Sequence, residues 1–223
     1  MNSISFSFQR AAKRIGKYWK KRVSLFGPEK AFLPMIRSGA FRDDDDLDTM
    51  KLGFCQLLPG KDPQGRAVFH FDPSKQYNKK VYKTQESVVR TMWYMMHAAL
   101  ESESAQQKGV IFLVYAKTVP FSKLDPKLDA AIMESLKGCL PIRMSSVQIC
   151  HPPSFIAYIL PILKLLFGER LRKRIKVHSG SNEAVLEKLA KYGMSADMVA
   201  TEIGGTYKLD QDAFLEARKK AGK

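Results

Sequence analysis

The chain has 223 residues, 45% of them apolar, which is enough to bury a full core in one domain carrying a short extension. Thirty-seven lysines and arginines against 22 acids give a net charge of +15 and a pI near 9.7, a field that draws in nucleic acid or anionic membrane before any specific contact forms. Three scattered cysteines, Cys55, Cys139 and Cys150, argue against a disulfide framework and for free thiols in a reducing compartment; no apolar run reaches the about 18 to 20 residues that span a bilayer, and the first residues lack the continuous apolar stretch of a secretory signal.

From Phe8 to Phe26 the apolar residues fill an arc of roughly 140° on a helical wheel. Arg10, Lys13, Arg14, Lys17, Lys20 and Lys21 lie opposite, and Arg22 alone intrudes on the apolar side. This is a basic amphipathic helix suited to a membrane surface, with Trp19 at the boundary and a stop at Gly27-Pro28. An organelle transit peptide is the rival reading, because the segment has no acid before Glu29. Asp43 to Asp46 read as a solvated acidic hinge, with a metal site as a minor alternative.

Beyond Met50 strands alternate with helices. Ala67 to Phe71 follows the Gln64-Gly65 turn, and a helix runs from about Thr84 to Glu101. Val110 to Val114 is a continuous apolar run, as for a strand buried on both faces. Asp125-Pro126 opens a helix that turns Leu128, Ala131, Ile132 and Leu136 inward and ends at Gly138. Met144 to Cys150, Ser154 to Phe167, Arg174 to His178 and Asn182 to Tyr192 continue the alternation. The Asp210 to Lys223 end reads as a short polar helix fraying into a basic tail. The expected architecture is α/β, a mostly parallel central sheet covered by helices, divided into residues 1–50, 51–208 and 209–223.

The chain has no GxGxxG, phosphate loop, HExxH or GxSxG motif, and its four histidines are scattered away from metal-ligand spacing. Neither catalysis nor a metal or organic cofactor is expected. Cys150 and His151, adjacent on a strand, point to opposite faces and make a poor nucleophile pair; Ser181 reads as a helix cap. Phe155 to Phe167 is apolar nearly all round and interrupted by Pro161, which fits either a helix buried on every side or one that lines a cavity and touches a bilayer. Gly168 then stops the helix and hinges it to the basic run Arg170, Arg172, Lys173, Arg174 and Lys176, which is either a solubilising turn or a site for phosphorylated headgroups. Outside Tyr18 and Trp19 no aromatic-basic pattern suits nucleic acid, and none is expected as a partner.

Five segments in order, Asp62-Pro63-Gln64-Gly65-Arg66-Ala67-Val68, Gly109 with its strand, Pro141-Ile142-Arg143, Cys150-His151-Pro152-Pro153-Ser154-Phe155 and Glu202-Ile203-Gly204-Gly205-Thr206, resemble the CRAL-TRIO lipid-binding family, of the secretory phospholipid-transfer or tocopherol-transfer type, over Leu52 to Thr206. The resemblance implies helices enclosing a pocket for one lipid ligand, with Phe112, Val114, Phe155, Ile159, Ile162, Leu163, Leu166 and Phe167 in the pocket and its gate. It also implies Arg143, Arg170, Arg174 and Lys176 as contacts for a phosphoinositide headgroup, and a cytoplasmic protein peripheral to anionic membranes. Tyr115, Cys150 and Ile142 stand where the family usually has aspartate, asparagine and, in the phosphatidylinositol-transfer branch, glutamate, so phosphatidylinositol as the enclosed cargo is in doubt.

Overall fold

In the computed structural model, residues 3–77 and 84–223 are described, with side-chain detail for all but 3–7, 123, 162–168 and 170. In chain order the elements are α1 (Ser3–Lys30), α2 (Asp44–Lys51), β1 (Cys55–Lys61), β2 (Ala67–Phe71), α3 (Pro73–Gln76), α4 (Gln85–Leu100), α5 (Glu103–Lys108), β3 (Val110–Tyr115), α6 (Pro126–Leu136), β4 (Met144–Cys150), α7 (Ile156–Arg172), β5 (Ile175–His178), α8 (Asn182–Ala190) and α9 (Gln211–Lys220). The sheet order is β1-β2-β3-β4-β5, with β1 antiparallel to β2 and the other pairs parallel. Helices cover it on both faces, so the mostly parallel α/β architecture expected from the sequence is the one observed.

Because the parallel strands follow one another in space as in sequence, right-handed crossovers put their connecting helices on one side of the sheet. On that side Phe69, Phe112 and Val147 join a core with α4, α6 and α7. Alternate residues Val68, Ile111 and Leu113 point the other way and pack against Val185 and Leu189 of α8. Gly109, whose φ is +90°, ends α5 and starts β3; a Cβ there would lie 2.2 Å from the Arg143 carbonyl oxygen. Gly204 and Gly205 close a tight turn in which a Cβ on Gly205 would lie 1.9 Å from the Val199 carbonyl. These motif glycines serve chain geometry.

Several expectations need correction. Strand β1 adds to the strands read from the sequence; it contains Pro59 and is an edge strand, where a missing donor is tolerated. The acidic run is no hinge. Asp44 to Asp46 open α2, and Asp46 is fully buried with its oxygens 2.7 and 2.9 Å from Arg90 Nε on α4. Burial outweighs the Arg90 charge and lifts the Asp46 carboxyl to about 6. Pro161 does not break α7, which loses one hydrogen bond there and continues. Nor does the helix stop at Gly168, for it runs on to Arg172 before entering β5. The C-terminal end is pinned and does not fray: Arg218 and Lys223 both donate to Glu101, and Arg218 also donates to Tyr94.

The segment ahead of residue 51 shares the main core, to which it contributes Phe26, Met35, Phe41 and Met50. At Gly27, φ +76°, α1 departs from helical geometry where the sequence placed its stop. Arg22, the intruder on the apolar arc, is buried and donates to the Tyr18 hydroxyl and the Leu33 carbonyl. Tyr18 in turn stacks on Trp93 and shares a hydrogen bond of 2.9 Å with His97, fastening α1 to α4. Cys55, Cys139 and Cys150 are buried free thiols, as expected.

Candidate functional site

Between the sheet and helices α4, α6 and α7 lies an apolar cavity of about 160 Å³. Its floor comes from alternate residues of β3 and β4: Phe112 and Val114, with Val147 and Ile149 beside them in register. Its wall is built from Ile132, Met133 and Leu136 of α6 and from Ile156, Ile159 and Leu160 of α7. The opposite face of α7 is open, with Ala157 and Pro161 exposed and Tyr158 82% exposed. A helix whose one face lines an apolar void and whose other face holds apolar groups in water is not an ordinary core helix.

Of the residues that the sequence assigned to the pocket and gate, Phe112, Val114 and Ile159 line the cavity. Phe155 instead packs edge-on against Phe121, with ring centres 5.4 Å apart. Ile162, Leu163, Leu166 and Phe167 lie outside the residues described at the side-chain level, as does Arg170.

Three polar residues also reach the cavity, and the sequence reading missed them: Gln76 and Tyr77 at the end of α3, and Asp129 in the first turn of α6. Tyr77 Oη is 3.0 and 3.1 Å from the Asp129 oxygens, and Gln76 Nε2 donates to Oδ1 at 2.9 Å. Burial lifts the Asp129 carboxyl to about 6 against the opposing pull of these hydrogen bonds, and burial likewise raises the Tyr77 hydroxyl. A signal was available. Asp129, Ile132, Met133 and Leu136 follow the i, i+3, i+4, i+7 spacing of one helix face, so an acid stood in the inward stripe.

The basic residues gather on the other side of the sheet. Lys173, Arg174 and Lys176 meet Arg66 around a second, polar pocket of about 230 Å³, floored by Ser146 and Gln148. Gln148 sits opposite Lys176 in the register and points away from the cavity, its Oε1 accepting a 2.6 Å hydrogen bond from His178 Nε2. Arg174 Nη1 donates to the Met144 carbonyl, and Arg66 is tied to buried Asp62. Lys173 pairs with exposed Glu169 at 3.1 Å, a contact worth little in water. Arg143 is exposed and does not line this pocket.

On α1, Phe8, Ile15 and Trp19 fall on one line and stay 71%, 58% and 37% exposed. Trp19 is half covered by stacking on Phe32, itself 67% exposed. Arg10, Lys13, Arg14, Lys17 and Lys20 are exposed around this stripe, and Lys21 is half-buried. No described helix is long and apolar enough to cross a membrane.

The histidines and cysteines build no reactive pair among the described residues. His151 Nε2 bonds the Ile203 carbonyl, while the Cys150 thiol faces the Gln148 carbonyl and burial pushes it up to about 12. Ser181 caps α8 through the Ala184 amide.

Comparison with known proteins gives three findings. The CRAL/TRIO domain model matches residues 52–205. Tyrosine-protein phosphatase non-receptor type 9 of Homo sapiens, and likewise of Mus musculus, is 23% identical over 158 residues, 71% of this chain but 25% of the phosphatase, so the chain spans about a quarter of those relatives. The solved structure of Sfh5 superposes with a TM-score of 0.57 at 12% identity, over 96% of this chain and 81% of that one, a likeness of fold. Lipid binding follows from the domain match, and with its motifs, sheet and cavity in place the chain belongs to the CRAL/TRIO domain family.

Proposed function

We propose that the chain carries one hydrophobic lipid in the cavity under α7 and exchanges it with anionic, phosphoinositide-containing membranes. The observation that carries this reading is α7 itself, which closes the cavity with Ile156, Ile159 and Leu160 while showing Ala157, Tyr158 and Pro161 to solvent. At about 160 Å³ the cavity is similar in volume to the roughly 150 Å³ engineered void that takes up benzene. It holds part of an acyl or isoprenoid chain, and outward movement of α7 opens the rest. Each buried methylene contributes about 0.8 kcal/mol, so a long chain stays bound without covalent attachment.

The exposed stripe of α1 with its flanking cations, and the cluster of Arg66, Lys173, Arg174 and Lys176, supply the attraction to an anionic surface. Arg143 and Arg170 belong to the same proposal. Organic extraction of the purified protein followed by mass spectrometry is expected to yield a bound lipid, and labelled lipid is expected to move between vesicles faster with the protein than without it. An empty protein that moves no lipid would defeat the proposal.

A second reading is a phosphoinositide-reading adaptor that transfers nothing. It is favoured by one observation: the basic pocket and the cavity lie on opposite faces of the sheet, so headgroup contact does not need cargo. Headgroup-dependent vesicle binding without transfer would select it.

A further inference from the structure

The polar corner of the cavity carries an unmet demand. Gln76 is 1% exposed, its Nε2 is committed to Asp129, and its Oε1 has no hydrogen-bond partner among the described residues. The amide orientation follows from its neighbour, since a carboxylate accepts from the amide nitrogen and repels the oxygen. The Tyr77 proton is likewise spent on Asp129. What this corner still offers is acceptor capacity: the Gln76 Oε1 lone pairs and the remaining lone pairs of the Asp129 carboxylate. No Lys or Arg among the described residues bonds to Asp129, and Asp125 adds to the negative potential.

A tie that merely joined α3 to α6 would leave no acceptor open. Buried acceptors without a partner are rare because desolvation is not repaid, and this one belongs to a residue that lines the cavity. Resting on the carrier reading above, we infer that Gln76, Tyr77 and Asp129 form an anchor for the single polar end of the cargo, selecting a hydrogen-bond-donating head such as a hydroxyl and rejecting carboxylate or phosphate. A hydroxyl can donate to Gln76 Oε1 or Asp129, whereas an acceptor-only anion meets lone pairs and negative charge. Phosphorylated headgroups are thereby directed to the basic pocket on the opposite face of the sheet, so cargo and membrane lipid are different molecules.

The test presents the full chain with three probes of one chain length, tetradecanol, tetradecanoate and tetradecane, delivered from cyclodextrin at pH 8. The unmodified protein is expected to bind tetradecanol at least about tenfold more tightly than tetradecanoate. Asp129→Asn removes the charge at constant shape and is expected to bring that ratio to within about threefold, mainly by strengthening tetradecanoate. Gln76→Leu is expected to weaken tetradecanol about fivefold relative to tetradecane. A variant with a damaged fold loses all three probes together and leaves their ratios alone, so the selectivity of the unmodified protein decides in that case. Tetradecanoate binding as tightly as tetradecanol, or a ratio untouched by both variants, overturns the anchor while leaving the carrier intact. Failure of the unmodified protein to bind any of the three, tetradecane included, overturns the carrier reading and the anchor with it.

Discussion

On one side of the sheet Val68, Ile111 and Leu113 meet Val185 and Leu189 of α8 in a packed cluster. On the other, Phe112, Val114 and Val147 meet α6 and α7 across a void of about 160 Å³. The strands feed both sides with the same kinds of residue, so the sheet does not decide which side holds the apolar void. The covering helices do. The first places apolar residues four apart on its inward face, whereas α6 places Asp129 in its inward stripe, where a carboxyl must keep hydrogen bonds and cannot be packed dry. The two covering helices thus differ by one polar group set in an apolar stripe.

Four measurements sharpen or break this contrast. The largest effect is expected at Leu189, fully buried under α8: Leu189→Ala is expected to cost about 3 to 4 kcal/mol in urea unfolding, and Ile132→Ala at the cavity wall less, because its neighbours already border empty space. Equal losses would mean the two faces are packed alike.

Next comes pH. His70, 1% exposed on the α8 side, has no hydrogen-bond partner on either ring nitrogen among the described residues, and burial lowers it to about 4. The folded state therefore binds fewer protons than the unfolded one. His70 contributes stability that is complete above about 6.5 and is lost as pH falls toward 4, on the order of 3 kcal/mol. Asp46 and Asp129, both raised to about 6, act oppositely: their share is present below the unfolded value of 3.8 and is lost as pH rises through 6. Unfolding of His70→Phe at pH 7 and 4.5 is expected to show a smaller acid loss than the parent; identical slopes would refute this assignment.

Third, Val147→Phe puts a ring into the void from the floor of the cavity. Cargo recovered by extraction is expected to fall severalfold with stability changed by less than about 1.5 kcal/mol, whereas Val185→Phe on the packed face is expected to cost about 1 to 3 kcal/mol. The smallest effect belongs to the rim of the basic pocket. Lys173→Gln combined with Lys176→Gln is expected to weaken binding to anionic vesicles about tenfold or more, two charges at about 1 kcal/mol each near the surface, with cargo content unchanged. Loss of cargo in that pair would contradict the separation of the two faces.

The sequence made the repeating parts of this fold readable. Val110 to Val114 announced a doubly covered strand, and the caps at Asp125 and Ser181 stand where the helices begin. What it hid were exceptions to pattern. Asp46 looked like its solvated neighbours in a run of four acids, although it is the one buried against Arg90. Pro59 and Gly60 masked an edge strand, and Gly168, read as a stop, is passed over by α7. Gln76 and Tyr77 are separated from Asp129 by more than fifty positions along the chain, and only the packing of α3 on α6 brings them together.

The limits of the sheet carry a further consequence. At one rim β1 contains Pro59 and a register shift; at the other β5 is four residues long with Lys176 turned outward. Neither rim offers a long, regular row of unpaired amides to a strand from another molecule. Were α7 to uncover the cavity walls as proposed, exposed apolar surface beside an open strand edge would invite fibre-like stacking, which these blunted margins disfavour.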